Sequence, residues 1–118
     1  LTGFLSGCGG KPIVGVILPT TGAAASYGES IESGIRLALS EARELEQLPP
    51  KLEVVWADSQ SAGPQAVHEY HKMVDERGAK LIIGGATTAE AAAARAQLAA
   101  AEAEQHRDGA TSRRPRGR

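Results

Sequence analysis

Two pairs of threonines, Thr20-Thr21 and Thr87-Thr88, are the side chains of this 118-residue sequence best placed to hold a small ligand. Each pair follows an apolar run rich in β-branched residues and precedes a helical pattern, so each lies in a strand-to-helix loop. In open α/β sheets such loops gather at the carboxyl ends of parallel strands. Helix N-termini there present unpaired N–H groups and the positive end of the helix dipole, which suits a carboxylate or another anion. The four hydroxyls would complete its hydrogen bonds. Tyr27, in the first loop, adds an apolar wall with a polar tip. The plainer alternative is that the threonines only cap helices and the nearby glycines only permit tight turns.

Other chemistries fit less well. A dinucleotide site needs G-x-G-x-x-G at the first strand-helix turn, but Gly15 falls within the strand and Gly22 and Gly28 are too far apart. Asp58 stands where a ribose-binding acid would sit, without those glycines. No phosphate loop of the G-x-x-x-x-G-K-[ST] type occurs. His68 and His71 enclose Glu69 in HEYH, whose spacing is not that of the HExxH metal motif, and a solvated helix face accounts for it. The single cysteine excludes an internal disulfide and any multi-cysteine metal site. No Ser-His-Asp or Cys-His arrangement is legible. The reading is therefore of a binding protein and not an enzyme, with no cofactor and no metal.

The elements that position these loops alternate regularly. Ile13–Leu18 is a buried strand that stops at Pro19. A helix is expected from about Gly28 to Glu46, with Ile31, Ile35, Ala38, Leu39, Ala42 and Leu45 on one stripe. Leu48-Pro49-Pro50 ends it. Leu52–Ala57 is a second strand, closing at Asp58. A second helix begins at Pro64, buries Ala66, Val67, Tyr70, Met73 and Val74, and finishes at Gly78. Lys80–Ile83 is a third strand. Thr87-Thr88-Ala89-Glu90 then fits a capping box with Thr87 as cap, which leaves the Thr88 hydroxyl free. Short links between alternating elements predict an α/β fold, βαβαβα, with an open parallel sheet in the order 2-1-3.

The two ends differ from this middle. Residues 1–94 carry 7 Lys/Arg against 11 Asp/Glu, whereas 95–118 carry 6 against 3. AAAARAQLAAAEAEQH is expected to extend the third helix, because alanine is the best helix former. RDGATSRRPRGR has no apolar period and is expected to be disordered. Such an end is what a shifted reading frame in GC-rich DNA produces. A basic tail also suits nucleic acid or anionic lipid, but nothing else in the chain points to nucleic acid. At the other end, Leu5-Ser6-Gly7-Cys8 resembles a bacterial lipobox, preceded by the remains of an apolar signal segment. Cys8 would then carry a lipid anchor, with residues 9–12 as linker. The alternative is a free thiol in a loose terminus.

Taken in order, Cys8, IVGVILP, Thr21-Gly22, Tyr27-Gly28, ESGIRLALSEA, Asp58-Ser59-Gln60-Ser61, PQAVHEYHKMV and LIIGGATTAEA resemble the start of type I periplasmic binding proteins. The resemblance is to the branched-chain amino-acid, leucine-binding-like substrate-binding subunits of ABC importers. It covers residues 8 to about 94, with 13–94 as part of the N-terminal lobe, and the family pattern is left near Arg95. It implies a two-lobed clamp outside the cytoplasmic membrane, periplasmic or at the cell surface, which delivers a small amino-acid-like solute to a permease. It implies that Tyr27 packs on the ligand and that Thr88, or its neighbour Thr87, bonds the ligand's carboxylate. Set against that family, the 118 residues match roughly the first quarter of a binding protein, a fragment without the second lobe. A ligand-sensing domain of the same fold, signalling instead of delivering, is the alternative function.

Overall fold

The computed structural model describes residues 10–111, with side chains up to residue 107. The lipobox, Cys8 and the arginines from Arg113 onward lie outside the described residues. Strand β1 (Ile13–Leu18) pairs in parallel with both β2 (Glu53–Asp58) and β3 (Leu81–Gly84). The sheet order is β2-β1-β3, the 2-1-3 arrangement expected from the alternating pattern. Because β2 and β3 flank β1 on opposite sides, crossovers of one hand send successive helices to opposite faces.

The faces follow from the two-residue period of the strands. Ile13, Ile17, Val55, Ala57 and Ile82 turn to one face, where they pack with Ala66, Tyr70, Met73 and Ala79. Ala66 and Tyr70 lie on α2 (Gly63–His71), which begins with Pro64 in its first turn as expected. The helix does not continue unchanged to Gly78. A wide π turn, Lys72–Glu76, follows it and carries Met73, 2% exposed, against the sheet. The thioether of Met73 fills the space where β1 has no side chain at Gly15. A flexible unbranched side chain suits such an irregular gap.

Helix α1 (Ala25–Glu44) lies against the other face, where Arg36 and Leu39 adjoin Val54 and Trp56. It starts three residues before the expected Gly28, because Ala25, Ser26 and Tyr27 carry no periodic signal. Ile35, Leu39 and Ala42 are half-buried, but Ile31, Ala38 and Leu45 are exposed. For Ile31 and Leu45, toward the two ends, the reason is length. The 20 residues of α1 span about 30 Å, while a six-residue strand spans about 20 Å, so the ends of the helix overhang the sheet.

Helix α3 (Thr88–Thr111) packs on α2 and runs on through the alanine-rich stretch. It also takes in Arg107–Thr111, which the sequence reading placed in a disordered tail. Strong alanine propensity upstream carries the helix past the point where apolar periodicity ends. Strands β2 and β3 each sit one residue later than their apolar runs suggest, so Asp58 and Gly84 belong to strand ends.

Candidate functional site

The carboxyl ends of the three strands meet in three loops: 19–24, 59–62 and 85–87. Asp58 ties the first to the second. Its carboxylate accepts the backbone N–H of Thr20 at 2.9 Å, of Thr21 at 3.2 Å and of Gln60 at 2.8 Å, together with the Thr21 hydroxyl at 2.6 Å. Partial desolvation, the largest single effect, pushes this carboxyl up. The Thr21 hydroxyl and the three amides together outweigh it and hold Asp58 below the usual carboxylate range.

Ser61 adds a second tie. Its hydroxyl accepts the Ala24 N–H at 3.0 Å and donates to the Thr21 carbonyl at 2.8 Å. It is held there by backbone in the left-handed region, with φ of 54° at Gln60 and 59° at Ser61. Neither is glycine, so the loop carries local strain that these hydrogen bonds offset.

The second loop is tied to the third from below. Ser59 and Glu90 are both buried, at 0% and 1% exposure, and the Ser59 hydroxyl donates to Glu90 Oε1. Glu90 Oε2 accepts the Thr87 N–H at 2.8 Å, and Thr87 Oγ1 accepts the Glu90 N–H at 3.3 Å. This is the capping box expected from the sequence, with Thr87 as cap. It uses the Thr87 hydroxyl and leaves that of Thr88 without a hydrogen bond among the described residues.

The threonines and Tyr27 therefore have distinct surroundings. Thr88 is exposed and, with Gly85, Ala86, Thr87, Ala91, Ala92 and Arg95, lines an open concavity of about 540 Å³. Thr20 lines a different one of about 280 Å³ with Leu18, Glu32, Trp56, Ala57 and Asp58. Thr21 and Tyr27 line neither, and Tyr27 is 70% exposed in the first turn of α1. Thr20 and the Thr87-Thr88 pair thus line different concavities.

The helix N-termini are unequal as well. Near the start of α1, the N–H groups of Ala24, Ala25, Tyr27 and Gly28 are bonded to Ser61, Gly22 and Ala24. At α3, Thr87 N–H is bonded to Glu90, whereas those of Thr88 and Ala89 have no partner among the described residues. Free backbone donors, a free hydroxyl and a concavity coincide at Thr88, the arrangement that receives a carboxylate at a helix start. Ser26 in the first turn of α1, whose N–H and hydroxyl are also unbonded among the described residues, lines neither concavity. Sequence reasoning missed the Ser59 and Ser61 contacts, although both residues lie in the Asp58-Ser59-Gln60-Ser61 run. His71, on the exposed side of α2, meets Asp75 at 3.4 Å and Gln97 at 3.3 Å, the solvated helix face expected for HEYH.

A family model described as periplasmic binding protein matches residues 13–103. The match continues beyond Arg95, where the sequence reading placed the departure from the family pattern. No curated protein matches the chain. Among solved structures, it is similar to the branched-chain amino acid transporter substrate binding protein LivJ from Streptococcus pneumoniae, in complex with isoleucine. The TM-score is 0.68 at 25% identity, over 78% of this chain and 27% of LivJ. It is also similar to the leucine binding protein LivK from Thermotoga maritima, with a TM-score of 0.61 at 26% identity over 70% of this chain and 23% of LivK. The chain thus spans about a quarter of the length of the structures it matches.

Proposed function

The chain belongs to the periplasmic binding protein family, and we propose that it supplies one wall of an extracytoplasmic binding site for a small amino-acid-like carboxylate. The observation that carries this reading is the coincidence at Thr88. An unbonded hydroxyl and the unbonded N–H groups of Thr88 and Ala89 adjoin the 540 Å³ concavity at the positive end of α3. LivJ, whose fold the chain shares, is in complex with isoleucine, which supports an amino acid as the ligand class. Thr88 would bond the ligand's carboxylate, with Thr87 holding the backbone beside it. Tyr27 and Thr20 are proposed as outlying contacts from the neighbouring loop. Thr21 is the weakest of the proposed contacts, because Asp58 already takes its hydroxyl.

In this role the chain belongs to the binding component of an ABC importer, passing its solute to a membrane permease. The lipobox-like Leu5–Cys8 supports tethering by a lipid on Cys8. The reading is one of binding without catalysis. It is tested by titrating the isotopically labelled chain with isoleucine and following backbone amides by NMR. Shifts centred on Thr87–Ala92, abolished by Thr88→Ala together with blocking of the ligand's carboxylate as an amide, are the expected result. No shift there at millimolar isoleucine overturns the reading.

A further inference from the structure

We propose that Ser59 and Glu90 form a buried latch that sets ligand affinity, with Glu90 a positioning residue acting through Thr87 and Thr88. The inference rests on the carboxylate site proposed at Thr88 and adds to it residues that never touch the ligand. A glutamate in a capping box ordinarily serves its own helix, and one carboxylate oxygen is enough for that. Here the second oxygen reaches across to a serine 31 residues earlier in the chain, and both side chains are closed off from water. A buried carboxylate with an unsatisfied oxygen is costly, so the Ser59 hydroxyl is held to Glu90 by the absence of any solvent alternative.

The latch has a consistent geometry on both sides. Ser59 is anchored to the sheet by its own N–H, which donates to the Leu18 carbonyl at 2.9 Å. Glu90 is anchored to Thr87 by two reciprocal hydrogen bonds. Ser59 follows Asp58, which holds Thr20 and Thr21. Two carboxylates thus fasten three loops in series: Asp58 joins the first to the second, and Glu90 joins the second to the third. The free N–H groups of Thr88 and Ala89 receive their direction from the last link. Donors fixed before the ligand arrives bind more tightly than donors that must be ordered by it.

Four variants of the whole chain test this, each titrated with isoleucine by amide NMR and melted separately. Ser59→Ala removes the cross-link and leaves the capping box, so affinity should fall about fivefold or more as the donors loosen. Glu90→Gln keeps an acceptor for Thr87 N–H and a partner for Ser59, so affinity should stay within about twofold. Glu90→Asp keeps the charge but is one methylene short of spanning both partners, and should bind as weakly as Ser59→Ala. It also serves if Ser59→Ala fails to fold. The double variant Ser59→Ala/Glu90→Asp should be no weaker than either single one, as expected of residues acting as one unit. A lowered melting temperature with isoleucine affinity unchanged in Ser59→Ala and Glu90→Asp overturns the positioning role alone. Absence of any isoleucine shift in the unaltered chain overturns both the latch and the site it serves.

Discussion

Thr21 donates its hydroxyl to the Asp58 carboxylate at 2.6 Å, across 37 residues of chain. That contact separates the two threonine pairs, which look alike in sequence. In the first loop, Asp58 and Ser61 take up the hydroxyl, N–H and carbonyl of Thr21 and the Ala24 N–H, while the Thr20 hydroxyl stays without a partner among the described residues. In the third loop the hydrogen bonds stop one residue short, at Thr87, and Thr88 is left open. Polar groups already bonded within the protein have less to offer a ligand, which is why the proposed site is centred on Thr88 and not on Thr21.

Asp58 should make the fold acid-sensitive. Its folded-state carboxyl titrates below the unfolded value because the Thr21 hydroxyl and three amides favour the charged form over the opposing desolvation. Its contribution is thus complete above about pH 4 and is lost as pH falls through the lower folded-state value. Asp58→Ala should cost about 1–3 kcal/mol at neutral pH and should lose part of the acid sensitivity of the unaltered chain. Urea unfolding followed by Trp56 fluorescence across the acid range measures both. An equal acid sensitivity in the variant contradicts the assignment.

Gly28 and Gly34 both lie in α1, yet alanine should act oppositely at the two. A Cβ at Gly28 would lie 2.6 Å from the Pro19 carbonyl carbon and still closer to its oxygen, and backbone cannot step aside. Gly28→Ala should therefore destabilise by about 1–3 kcal/mol or more. A Cβ at Gly34 meets nothing within 4 Å. Gly34→Ala should stabilise by about 0.5–1 kcal/mol through helix propensity and a less flexible unfolded chain. Denaturant midpoints of the two variants decide, and equal signs would contradict this account of how α1 meets the first loop.

The Arg36 guanidinium lies over the Trp56 ring, 4.1 Å from its centroid, and also meets Glu32 at 2.6 Å. It closes the outer edge between α1 and β2. Arg36→Ala should cost about 0.5–1 kcal/mol, most of it from the ring contact, since an exposed ion pair on a helix adds little. Trp56 is the sole tryptophan, so its emission reports the change directly. A red shift of the native spectrum is expected as water reaches the ring face, and an unchanged spectrum would show that the stacking does not persist in solution.

The sheet and its order were legible because apolar runs, proline stops and a helical stripe all agree in this chain. β1 was legible to the residue, since Pro12 and Pro19 bracket it. The capping box at Thr87 was legible because its signal is local. What escaped reading is non-local. Nothing in the spacing of Ser59 and Glu90 foretells that they meet, and the same holds for Thr21 and Asp58. The end of α3 was misjudged because alanine propensity carries a helix without leaving an apolar period to read.

β3 is the thinnest part of the sheet, and its two faces should respond differently to charge. It has four residues and, among the described residues, pairs only with β1. Leu81 and Ile83 are 57% and 41% exposed, while Ile82 packs with the core cluster near Gly15. An edge strand with exposed aliphatic side chains invites pairing with another chain, and lysine on such an edge discourages it. Leu81→Lys should therefore change the unfolding midpoint little, by about 0.5 kcal/mol or less, and should raise the concentration at which the chain stays monomeric. Ile82→Lys puts a charge among Met73 and Ile17 with no partner, and should cost several kcal/mol, about enough to unfold a domain of this size. Sedimentation and denaturant melts of both variants test the assignment. Comparable destabilisation by the two would mean that the outer face of β3 is as closely packed as the inner one.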